Sequence, residues 1–168
     1  MRKLLPALLV LLVLPALVST GHAAETYPDP KALVTAIYAA YQPGQFPPDP
    51  AQFYSVRLAG LVAQHQESAI AESASTTAVD NVPPAAPLNP FLPDKSALIS
   101  GLVIGEPTQI GDTALINVSY HNFDQPRLLS IALVQDGDAG WKVDDVASVG
   151  HDEHWLLSWV LTYDPQGF

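Results

Sequence analysis

The chain has no cysteine. That excludes a disulfide framework, a lipid-attached cysteine and thiol catalysis, so any stability outside the cytoplasm has to come from the core. Basic residues are scarce: seven Lys and Arg stand against 17 Asp and Glu, a formal charge of −10. Phosphate backbones are bound by clustered Lys and Arg, so nucleic acid is excluded as a partner class. No Gly-x-Ser-x-Gly elbow occurs, no Ser is tied by a motif to His and Asp, and no glycine-rich phosphate cradle is present. Nucleophilic hydrolysis therefore has no support in the sequence. Long apolar runs are also lacking: Leu4 to Val18 falls short of the about 20 residues that a membrane span needs and contains Pro6 and Pro15.

What is present begins with an address. Arg2 and Lys3, the apolar stretch Leu4 to Val18 and the small residues of Gly21-His22-Ala23 have the order of a secretory signal peptide. Cleavage is expected after Ala23, which places residues 24–168 in the periplasm or outside the cell as a single domain without stable membrane insertion. With Arg2 and Lys3 gone, five basic residues remain against the same 17 acidic ones, and the charge moves from −10 to −12. Solubility is the plain consequence.

Asp29-Pro30 opens a helix, since Asp caps and Pro suits the first helical position. Leu33, Val34, Ile37, Tyr38 and Tyr41 form its apolar stripe, and Pro43-Gly44 stops it. The same start recurs at Asp49-Pro50, where Phe53, Tyr54, Leu58, Leu61 and Val62 predict a second helix to about His65. From residue 66 to 93 Ala, Ser, Thr and Pro dominate, and the segment reads as a connection whose last part, Leu88-Asn89-Pro90-Phe91-Leu92, docks on the body.

Between Leu98 and Val149 apolar alternation predicts four antiparallel strands joined by turns at Gly111-Asp112, Asn122 to Pro126 and Asp136 to Gly140. In the last strand Trp141 and Val143 share a parity that Val146 breaks. Either a bulge sits at Asp144-Asp145 or the sheet ends there; without a bulge Asp145 points into the core. His151 to Leu161 reads as a short terminal helix. The class is α+β: N-terminal helices packed on a four-stranded antiparallel meander, closed by a C-terminal helix.

The two helices, the connection ending in Asn89-Pro90-Phe91, the meander and the string Gly140-Trp141-Lys142-Val143-Asp144-Asp145-Val146 resemble a known family over residues 28 to 160. They look like the secreted bacterial proteins of the domain-of-unknown-function 3828 family, in the nuclear-transport-factor-2-like, or cystatin-like, superfamily. Asn89 stands where that pattern has Asp. The resemblance implies a cone, a curved sheet wrapped against helices, and brings no activity with it.

Asp144 and Asp145 are the candidate general bases, at the mouth of such a cone, with His121 or Tyr120 as donor in a small isomerase or lyase. Tyr120 and Trp141 are candidate ligand-binding residues. His151 and His154, three apart on the expected helix, are the candidate metal pair, against a polar helix start. No cofactor is expected. The leading expectation is non-enzymatic binding of a small molecule or an extracytoplasmic protein; an inhibitor or immunity-like role is the further alternative.

Overall fold

In the computed structural model, residues 26–41, 49–75, 89–92, 99–150 and 154–163 are described. The expected signal peptide, the Pro43-Gly44 stop, half of the 66–93 connection, His151 and the tail after Tyr163 lie outside them.

Helix α1, Pro30–Ala39, begins as its sequence requires. Asp29 Oδ1 accepts the Ala32 N–H at 2.8 Å and Pro30 occupies the first turn, while Leu33, Val34, Ile37 and Tyr38 are buried on one face. At Asp49-Pro50 the expected helix is interrupted. Asp49 caps only a 3-10 turn, Pro50–Phe53. Tyr54 then turns extended and bridges Val143, with the Ser55 N–H donating to the Val143 carbonyl at 2.8 Å. A single helix through this point would forfeit that attachment to the sheet. Helix α2, Val56–Ser75, starts afresh with the Ser55 hydroxyl accepting the Leu58 N–H at 3.1 Å, and runs ten residues past His65.

The sheet is antiparallel, with strands β1 Ile99–Ile104, β2 Thr108–Ile110, β3 Thr113–Asn122, β4 Gln125–Gln135, β5 Trp141–Val149 and β6 His154–Leu156. Its order is β1-β3-β4-β5-β6, and β2 also pairs with β3. Thus β1 and β2 form one edge in two pieces, divided at Gly105-Glu106-Pro107, where proline cannot donate to a ladder. At the opposite edge the segment expected to be helical from His151 instead contributes β6, and helix α3, Leu157–Tyr163, begins only afterwards. Pairing of Ala147 to Val149 with His154 to Leu156 satisfies backbone that would otherwise form an open edge.

Alternation along β3 is strict: Ile116, Val118 and Tyr120 face inward, and Leu115, Asn117 and His121 are exposed. Leu129, Ile131 and Leu133 of β4 and Val143 and Val146 of β5 complete the inner face, on which α1, α2 and α3 pack with Phe53, Tyr54 and Phe91. These strand side chains are almost fully buried, so the inner face of the sheet is packed with protein. No described helix is long and apolar enough to cross a membrane.

Gly140 shows how tightly the N-terminal segment docks. Its φ is +72°, and a Cβ there would stand 2.5 Å from the Tyr27 carbonyl oxygen, which accepts the Trp141 N–H at 2.8 Å. Only glycine permits that approach.

Candidate functional site

Strand β5 carries the bulge. Leu133 pairs with Val143 and Ala132 with Asp145, so Asp144 is the extra residue. The inserted residue lets Val143 and Val146 both face the core, three apart, and leaves the two carboxylates part-buried against Ser55 and Ser158.

Each carboxylate is held there. Asp144 takes the Arg57 Nε–H at 3.0 Å from either carboxylate oxygen, lies 2.8 Å from Arg57 Nη2 and accepts the Ser55 hydroxyl at 2.6 Å. Arg57 Nη2 also donates to the Asp144 carbonyl. Burial acts to raise the pKa of Asp144. The hydrogen bonds from Arg57 and Ser55 and the guanidinium charge outweigh it, holding the carboxyl below its ordinary value. Asp145 accepts the N–H and the hydroxyl of Ser158, satisfying a free donor in the first turn of α3, and also accepts the Val146 N–H. Bulge, start of α2 and start of α3 are thereby joined. Arg57, Ser55 and Ser158 were not among the sequence candidates; Ser55 fell inside the helix expected from Asp49-Pro50, and its capping role appears only with the break at Tyr54.

The other candidates lie elsewhere. Tyr120 is buried on the inner face, and its hydroxyl donates to the Phe91 carbonyl at 3.1 Å. Burial, opposed by the charge of Arg127, pushes it up to about 12. His121 projects from the opposite, open face. In register His121 lies opposite Pro126 and Asp145 opposite Ala132, six residues further along β4, a separation of roughly 20 Å at about 3.3 Å per residue. The acid–base pairing of Asp145 with His121 is therefore not assembled. Trp141 is buried at the start of β5. His154 lies exposed on β6 opposite Val149, not on a helix with His151. Among the described residues no group of three or more His, Asp or Glu side chains is placed to hold a metal.

The docked connection explains itself locally. Asn89 Oδ1 accepts the Phe91 N–H and the Tyr41 hydroxyl, both at 3.1 Å, so the amide oxygen ties the connection to α1. The Phe91 carbonyl takes the Tyr120 hydroxyl and, at 3.5 Å, the Tyr38 hydroxyl. Burial raises Tyr41 to about 12 against the lowering effect of the Asn89 hydrogen bond.

Beside this tyrosine cluster, between α1 and β1, runs an open cleft of about 410 Å³. Thr35, Tyr38, Ala39 and Tyr41 form the helix side, and Ile99 to Leu102 with Ile104 form the strand side. Its size falls within the roughly 300–1,000 Å³ of ordinary ligand sites. The strand side bulges: Ser100 pairs with His121 and Val103 with Ser119, leaving Gly101 and Leu102 opposite Tyr120 alone, with Gly101 at φ +61°. Lys31 on α1 and Glu106 just after β1 form an ion pair between the two walls' elements.

Compared with protein-family models, with curated proteins and with solved structures, the chain matches none.

Proposed function

We propose that this chain is an extracytoplasmic binding domain of the cystatin-like type, a sheet curved over helices, which takes its ligand in the cleft between α1 and β1. The leader at Met1 to Ala23 supports the location, and the string Gly140 to Val146 supports kinship with the domain-of-unknown-function 3828 family.

One observation carries the reading. The ionisable groups of β5 are engaged in holding secondary-structure elements together, with Asp144 bonded to Arg57 and Ser55 and Asp145 to Ser158. The cleft, by contrast, is open and is walled by apolar and hydroxyl-bearing side chains of α1 and β1. Such a site selects by shape and by a few hydrogen bonds, which is the work of a binder.

The test is native mass spectrometry of the protein recovered, without refolding, from the compartment to which its own leader delivers it. Wild type and Ala39→Trp are compared, because the indole fills the cleft from an exposed helix position. Additional mass carried by the wild type and lost from the variant supports the proposal; additional mass retained equally by both, or carried by neither, overturns it.

A further inference from the structure

The wall of the cleft formed by β1 is also an edge of the sheet. Among the described residues β1 pairs with β3 alone, so its other side presents main-chain N–H and C=O groups toward the cleft. Native edges are guarded by charged side chains, prolines, bulges or short strands. Here Ile99-Ser100-Gly101-Leu102-Val103-Ile104 carries no charge and no proline, although Glu106-Pro107 follows immediately. Among the described residues its guard is the Gly101-Leu102 bulge, and that bulge leaves Leu102 lining the cleft. Val103 is 60 % exposed.

Resting on the cleft as the binding site, we infer that its occupant is an extended polypeptide segment of a partner protein, which adds to β1 as a further strand of the sheet. A sheet edge free of charge and proline beside a helix-walled groove fits that class because main-chain pairing supplies affinity while alternate side chains of the guest reach different surroundings. One parity of the guest lies under α1 against Tyr38, Ala39 and Leu102 and is apolar. The other parity lies on the solvent side near Ser100 and Val103, and is basic, because the field of a chain with formal charge −10 draws cations and repels acids. A guest of five or six residues matches the length of β1.

The experiment selects nine-residue peptides from a randomised displayed library on the full mature chain. The selected peptides are then resynthesised with alternate backbone nitrogens methylated. Expected are peptides alternating apolar and basic residues, slowed amide exchange at residues 99–104 on binding, and a loss of at least about tenfold in affinity on N-methylation of the paired parity. Leu102→Lys, which adds a gatekeeper at a partly exposed site, weakens binding by a similar factor, and a circular dichroism spectrum matching wild type excludes misfolding as the cause. Peptides whose binding is abolished by Ala39→Trp but that leave the 99–104 amides unslowed and tolerate methylation overturn the strand while leaving the cleft as the binding site. Peptides that map away from α1 and β1 overturn both, and a library yielding no enriched peptide overturns the strand.

Discussion

Replacing Asp144 with Asn keeps an oxygen for the Ser55 hydroxyl and the shape of the bulge, but removes the charge that faces Arg57. Hydrogen bonds to ionised groups contribute about 1.5–3 kcal/mol, whereas exposed ion pairs contribute about 0–1 kcal/mol. The Asp144 side chain is 28 % exposed and that of Arg57 49 %, so solvent screens the pair. The expected loss at neutral pH is about 1–2 kcal/mol, read as a fall of about 0.5–1 M in the urea midpoint. The pH dependence identifies the cause. Asp144 is held below its ordinary value of 3.8 in the folded protein, so its stabilisation is complete above that value and is lost as pH falls through the folded pKa. Asn does not titrate, so the gap between wild type and variant is widest from about pH 5 to 8 and closes below about pH 4. Arg57→Met reproduces the loss, and the double variant falls short of additivity by about 1 kcal/mol. A gap that persists unchanged at pH 3, or no gap at pH 7, refutes the ion pair as the tie between bulge and helix.

Gly140→Ala lowers stability by roughly 3 kcal/mol, through the left-handed backbone and the collision with the Tyr27 carbonyl, while Gly111→Ala, also left-handed but facing open space, costs about 1 kcal/mol. Equal melting temperatures for the two variants count against the packing of the N-terminal segment on Gly140. Asn89→Ala costs about 1–3 kcal/mol by stranding the Phe91 N–H and the Tyr41 hydroxyl, and Asn89→Asp, which keeps the acceptor, melts closer to wild type. Tyr41 and Tyr120, both raised to about 12, contribute stability that is complete below pH 10 and is lost as pH rises toward 12. Phenolate absorbance followed against pH should therefore climb late and together with unfolding, and a normal early titration of these two rings contradicts their burial.

Much of the fold was legible because its signals are local. Asp29-Pro30 caps where it stands, and the alternation of Ile116, Val118 and Tyr120 needs no partner to be read. The parity break between Val143 and Val146 called for a bulge or for the end of the sheet, and the structure has the bulge. What failed was set by tertiary pairing. The Asp49-Pro50 signal matches that of Asp29-Pro30, yet Tyr54 leaves the helix to bridge Val143, and no periodicity records that choice. Trp155 and Leu156 have helical spacing with Trp159 and Val160, but the open edge of β5 claimed them as a strand. For the site, Asp144 and Asp145 stood out as adjacent carboxylates; their partners Arg57 and Ser158 lie 87 and 13 residues away in sequence and become visible only once the chain folds.

The central claim, that the α1–β1 cleft is where this protein meets its ligand, is tested most directly by a photo-crosslinking residue placed at Leu102 or, separately, at Leu156 on β6, in the producing cell. Both side chains are partly exposed, and only Leu102 lines the cleft. The account predicts one discrete adduct from position 102, suppressed by Ala39→Trp, and none of the same mass from position 156. Equal adducts from both positions, or an adduct at 102 indifferent to Ala39→Trp, contradicts it.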